Sequence, residues 1–226
     1  MELHIKEYLR GIGARRIIGM VLGNIILGIG IAVFRTSLLG NDPYSAMLMA
    51  GADHLPIAYS TLMLIVNAAV FVVELLWGKH FIGIGTFVNW FLLGYVASFF
   101  IEVFDPLQIP ERGMLIRLLT VAVGVLIVSL GVSLYQTADL GIAPYDSLSI
   151  IMSGHCPLPY FWCRLITDVV CTAICWALGG IVNIGTAVCA FGLGPFIHFF
   201  DQKISVKVLM GKGDSNNLEM TDTNMV

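Results

Sequence analysis

Charge is what this chain lacks. Asp, Glu, Lys and Arg supply 12% of its 226 residues, about half the share of a soluble domain, and the net charge is only −3. That excludes a soluble globule and a disordered chain, and leaves no surplus of positive charge to hold nucleic acid. Cysteine is sparse too. Cys156, Cys163, Cys171, Cys175 and Cys189 make no Cys-x-x-Cys pair and no zinc spacing, so they read as inert thiols. There is no Gly-x-x-x-x-Gly-Lys-Ser/Thr phosphate loop, no His-Glu-x-x-His metal site and no Gly-x-Ser-x-Gly nucleophile elbow. ATP-driven pumping by this chain alone and metalloprotease or hydrolase chemistry therefore lack their parts. The expectation is a protein that is not an enzyme, with no catalytic residue, no metal and no cofactor.

Apolar residues are abundant: 58% of the chain is hydrophobic and the mean hydropathy is +0.88. A membrane-crossing helix needs about 20 mostly apolar residues. Six stretches reach that length, at 17–38, 57–77, 81–101, 114–136, 158–178 and 181–200. Two shorter ones, 43–53 and 144–153, reach only halfway across at about 1.5 Å per residue. The first stretch is too long for a cleaved signal peptide. Lys6, Arg10, Arg15 and Arg16 precede the first stretch, and Lys203, Lys207 and Lys212 follow the last. Positive flanks stay inside, so both termini are expected in the cytoplasm, which agrees with an even number of crossings.

The chain also repeats itself. A shift of 101 residues lays 30–47 (GIAVFRTSLLGNDPYSAM) over 131–148 (GVSLYQTADLGIAPYDSL), with Leu-Gly-x-x-Pro-Tyr in register. His54-Leu-Pro56-x-x-Tyr59 then falls on His155-Cys-Pro157-x-x-Tyr160, Asn67 on Asp168, and Ile84-Gly85-Thr86 on Ile184-Gly185-Thr186 after one deletion. Hydrophobic composition alone does not align Pro-Tyr, His-x-Pro-x-x-Tyr and Gly-Thr in order. The expected fold is all-α: a polytopic membrane protein of six transmembrane helices plus two short half-helices, built as two three-helix repeats. Three crossings per repeat is odd, so the halves should be of inverted topology if the short segments re-enter rather than cross, as in many secondary transporters. The expected organisation is 1–101, an N-terminal repeat with an amphipathic cytoplasmic lead-in; 102–113, a hydrophilic linker; 114–203, the C-terminal repeat; and 204–226, a polar, disordered cytoplasmic tail.

The two Leu-Gly-x-x-Pro-Tyr segments, at 39–44 and 140–145, together with Ile184-Gly185-Thr186 and Gly194-Pro195-Phe196-Ile197, resemble the YczE/YyaS/YitT-like bacterial integral membrane proteins. The resemblance covers nearly the whole chain short of its tails. It implies a multi-pass protein of the bacterial inner (cell) membrane and supplies no substrate or mechanism.

The candidate residues follow from the cost of polarity in lipid. Gly40 and Gly141 allow backbone angles that other residues avoid, and Pro43 and Pro144 suit the first turn of a helix. Each segment reads as a helix stop, a break and a half-helix start, whose free N–H groups carry about half a positive charge. Broken backbone at membrane depth must be buried in protein or line a cavity; a turn at the interface with a short helix among the headgroups is the alternative. Tyr44 and Tyr145 open the half-helices, with Asp146 beside the second, and are candidates to line a cavity. Arg164 and Asp168 stand four residues apart on one face, near the middle of 158–178. A charge there costs about 2.5–3.5 kcal/mol and turns inward, so the pair reads either as a solute site with Asn67 or as a structural ion pair. His54 and His155 are candidates for gating or proton relay, or for hydrogen bonds to a nearby carbonyl. Tyr59 and Tyr160 read as interfacial anchors, and Glu74, Lys79 and His80 as solvated groups at helix ends. Gly19 and Gly23 form a small-xxx-small face for close helix packing, within one subunit or across a homodimer. Beyond the lipid bilayer the expected partner is a small-molecule solute. The leading reading is a secondary permease or exporter for a small polar or anionic solute. The alternative is a non-transporting membrane protein that regulates or scaffolds a partner complex.

Overall fold

The structure, a computed structural model, describes residues 13–209. The lead-in expected before residue 13 and the tail beyond residue 209 lie outside the described residues. Within them the chain is helical and without strands. Helix α1 spans Ala14–Ser37, the half-helix α2 Pro43–His54, α3 Tyr59–Trp77, α4 Ile84–Phe104, α5 Met114–Thr137, the half-helix α6 Pro144–His155, α7 Tyr160–Ala177 and α8 Ile184–Phe200. The chain continues past α8 through a π-helical turn, Asp201–Ser205, into a last helical turn α9, Val206–Leu209. The sixth crossing therefore extends beyond the boundary at 203, because Ile204, Val206, Val208 and Leu209 carry its apolar pattern onward and Leu209 is buried against Met20 of α1. Among the described residues six helices are long and apolar enough to cross a membrane, and large side chains such as Leu115, Trp176 and Phe191 stand exposed on their outer faces, as lipid contact requires.

The centre of the bundle is the pair α1 and α5. A Cβ added to Gly23 would lie 2.6 Å from the backbone nitrogen of Tyr135, and one added to Gly131 would lie 2.5 Å from that of Leu27. The two backbones touch where no side chain intervenes, the arrangement that small residues permit in lipid. Gly19 meets Leu209 instead. Both glycines of the small-xxx-small pair are thus used inside the chain, the first of the two alternatives given for them.

The direction of the pair is fixed by two arginines. Arg16, at the start of α1, donates from Nε to the Ala138 carbonyl (2.8 Å) and from Nη2 to that of Asp139 (2.9 Å). Arg117, at the start of α5, donates from Nε to the Ser37 carbonyl (2.7 Å) and from Nη2 to that of Leu38 (2.9 Å). Each guanidinium serves the orphan carbonyls at the other helix's C-terminus. The helices therefore run antiparallel.

Each helix end leads into a break. Leu38 and Gly40 have φ of 50° and 113°, and Asp139 and Gly141 have φ of 49° and 117°, so both breaks use left-handed backbone at the same two places. The carbonyl of Leu140 accepts from Gly85 N at the start of α4 (2.7 Å), and that of Leu39 from Gly185 N at the start of α8 (2.8 Å). A helix N-terminus from one half thus satisfies the broken backbone of the other, as burial in a medium without water demands. These contacts put the start of α1, the end of α5, the start of α4 and Leu209 at one end of the bundle. The end of α1 and the starts of α5 and α8 lie at the other.

Candidate functional site

The site grows from the two half-helix starts. Pro43 and Pro144 occupy the first helical position of α2 and α6, and Asp42 caps α2 by accepting from Ser45 N at 3.0 Å. Tyr44 and Tyr145 then project toward each other, and their rings stack with centroids 4.2 Å apart and planes 9° from parallel. The Tyr44 hydroxyl donates to Oδ1 of Asn67 (2.6 Å), and the Tyr145 hydroxyl to Oδ1 of Asp168 (2.6 Å). Asn67 is the ninth residue of α3 and Asp168 the ninth of α7, so the tyrosines bring together the polar groups at the middle of two long helices.

Charge gathers on one side of this stack. Nη1 of Arg164 donates to Oδ1 of Asp146 (2.6 Å), its Nε lies 3.5 Å from Oδ2 of Asp168, and its guanidinium sits 4.8 Å from the Tyr145 ring centroid. Tyr135 of α5, fully buried, donates its hydroxyl to the other oxygen of Asp146. Arg164, expected to hold an anion, is thus already matched to two carboxylates. A third carboxyl, Asp42, is within electrostatic reach of Arg164 and Asp168, and its Oδ2 is buried with no partner, as is Nδ2 of Asn67. Among the described residues no three His, Cys, Asp or Glu side chains gather as a metal cage would need.

A cavity of about 100 Å³ opens beside α2, room for about three water molecules. Arg35 and Asp53, 3.6 Å apart, stand on its wall, with Asn41, Ala46, Ala50 and Gly180. Asn41 and Ala46 bracket Tyr44 in the chain, so the cavity adjoins the half-helix start. At the corresponding place beside α6 the wider Ile151 stands where Ala50 stands here, pressed against Gly78.

Several expected residues fall elsewhere. Nδ1 of His54 donates to the Ala50 carbonyl and Nδ1 of His155 to that of Ile151, each at 2.9 Å. Both histidines are exposed at the outer ends of the half-helices, bonded within their own last turn and not to the tyrosine network. Tyr59 is buried and donates to Ser45 Oγ (3.3 Å), so it belongs to the interior rather than the interface, whereas Tyr160 is exposed. Glu74, read as solvated, is fully buried. Sequence reasoning missed Tyr135 and Arg117, although the shift of 101 residues lays Tyr135 over Phe34 and Arg117 over Arg16.

Comparison with known proteins places this arrangement. Residues 14–202 match a family of unknown function, DUF6198. The chain belongs to that family. It is 24% identical over 178 residues to the uncharacterized membrane protein YczE of Bacillus subtilis, covering 78% of this chain and 81% of that one. It is 28% identical over 182 residues to an uncharacterized protein of Haemophilus influenzae, covering 77% and 78% respectively. No solved structure matches. The DUF6198 match runs from the first turn of α1 to the π-helical turn after α8. The resemblance drawn from the Pro-Tyr segments thus holds: this is a YczE-like bacterial membrane family, and its member here is a multi-pass helical membrane protein.

Proposed function

We propose that this protein is a secondary transporter, a permease or exporter for a small polar solute, built from two inverted three-helix repeats in the bacterial cell membrane with both termini in the cytoplasm. The observation that carries the reading is the head-to-head meeting of the two half-helix starts. Broken backbone at membrane depth is tolerated where it is buried or lines a cavity, and transporters place their sites between such broken segments at the repeat interface. The antiparallel pair α1 and α5, and the reciprocal contacts of Arg16 and Arg117, are what inverted repeats would give. Charge balance refines the solute: Asp146 and Asp168 already match the one guanidinium of Arg164, with Asp42 nearby, which favours a neutral or cationic polar solute over the anionic one. A cavity beside α2, walled by Ala50, against the bulkier Ile151 at the matching place on α6 is the kind of asymmetry a carrier closed at one face would have. Rocking of one half against the other would exchange the two.

A non-transporting scaffold is the second reading, favoured by the tyrosine stack that closes the centre and by a cavity wall that includes neither Arg164 nor Asp168. Uptake into liposomes separates the two, using a panel of labelled amines, amino acids, sugars and carboxylates. The carrier reading expects uptake of one class, abolished by Asp168→Asn in protein that stays folded. Unchanged uptake in the variant removes Asp168 from the mechanism, and no uptake of any class by the native protein favours the scaffold.

A further inference from the structure

Glu74 belongs to none of the contacts described so far. It is 0% exposed, and neither carboxyl oxygen has a hydrogen-bond partner. It stands seven residues beyond Asn67, hence about two turns further along the same face of α3, where the half-helix α6 packs on α3. The Ser147 hydroxyl of α6 is its polar neighbour, but that hydroxyl donates its proton to the Pro144 carbonyl (2.8 Å). The titratable groups on the elements packed against α3 are Tyr44, Asp53 and His54 on α2, Tyr95 and Glu102 on α4, Tyr145, Asp146 and His155 on α6, and Lys79 and His80 after α3. None forms an ion pair or hydrogen bond with Glu74.

An ionised carboxylate with no cation and no donor is not tenable in an apolar interior, so the group carries a proton. The acid's own O–H has only the Ser147 oxygen near it as an acceptor, and no hydrogen bond is formed there. A structural role would have used one of the two. The other half shows that the fold does not need a carboxyl at this place: there the corresponding residue is Cys175, buried with Ala46 and Ala50, and Ala46 corresponds to Ser147. An ionisable side chain kept inside the membrane without a structural partner points to function.

We propose that Glu74 is a proton-binding site, loaded while α6 is seated on α3 and emptied when α6 moves off and water enters between Gly78 and Ile151. The O–H bond breaks, the proton leaves to water and the carboxylate remains, then re-protonates on closure. The proposal rests on the carrier reading and makes transport proton-linked. Infrared difference spectra of the native protein in liposomes test it with the proton itself as probe. The expected result is a protonated-carboxyl band at neutral pH that shifts in heavy water and converts reversibly to carboxylate at alkaline pH. Glu74→Gln removes that band, and Asp168→Asn retains it. A band indifferent to pH and heavy water, or a Glu74→Gln spectrum identical to the native one, overturns the site. Should Glu74→Gln not fold, Ser147→Ala is expected to move the midpoint of the conversion, and an unmoved midpoint overturns it. No solute is needed, so a failed uptake assay leaves these readouts standing, and their failure leaves the carrier without its proton.

Discussion

Arg164 shows what the second half of the chain has that the first has not. Where it, Asp146 and Asp168 form a charged trio, the shift of 101 residues places Met63, Ser45 and Asn67. Removing one partner of a buried ion pair costs about 3–5 kcal/mol because the other charge is stranded. The Arg164 side chain is 32% exposed, so Arg164→Met is expected to cost about 2–3 kcal/mol, toward the low end because solvent screens part of the charge. The triple variant Arg164→Met, Asp146→Ser, Asp168→Asn writes the neutral half's solution into the charged half. It is expected to recover most of that loss, read as the thermal midpoint in detergent. A triple variant that loses the sum of the single effects would show that the three groups do not act as a unit.

Most of this trio was legible, since Pro-Tyr spacing, a four-residue charge pair and an internal alignment are local signals. Glu74 was not. Its place three residues before the end of α3 reads as an interface, and the Ser147 side of α6, arriving from the other half of the chain, packs there. Tyr59 was misread for the same reason: a tyrosine that begins a long helix faces the headgroups unless a half-helix offers it a serine.

At the scale of the element, the breaks decide whether the bundle closes. Gly141 has a φ of 117°, and a Cβ there would lie 2.6 Å from Gly83 N and 2.7 Å from Thr86 Oγ1. Gly141→Ala therefore adds left-handed strain, about 1–3 kcal/mol, to a backbone collision that pushes α4's N-terminus off the Leu140 carbonyl. Gly154, in the last turn of the same half-helix, has nothing within 4 Å of its added Cβ. Gly154→Ala is expected to be neutral or to stabilise by about 0.5–1 kcal/mol. Thermal midpoints of the two variants in one detergent check this pair, and equal midpoints would show that the break tolerates a side chain. The six crossings and the positions of both breaks were legible from apolar length and from Gly and Pro. The exchange of helix N-termini between halves was not, because Gly-Thr at 85–86 and 185–186 carries no mark of the distant carbonyl it serves.

At the scale of the whole molecule, the arrangement implies an orientation that chemistry can read. The end of the bundle that holds the start of α1 carries Arg15, Arg16, Lys79, Lys203 and Lys207, and the other end carries Arg35, Arg112 and Arg117. On the proposed reading the more positive end is expected in the cytoplasm. The half-helices then finish at opposite faces: α2 close to the end of α1, where Asp53 pairs with Arg35, and α6 beside Gly78, close to the end of α5. In a cysteine-free background, Asp53→Cys should react with an impermeant maleimide added to intact cells. Gly154→Cys should react only after the membrane is opened. Both positions are exposed, so neither outcome depends on the chain loosening. Reaction of both from one side would mean that the half-helices share a face, and would overturn the inverted halves of the proposed carrier. The tyrosine stack would lose its place between two opposed entrances, since a site reached from a single side binds a solute without carrying it across.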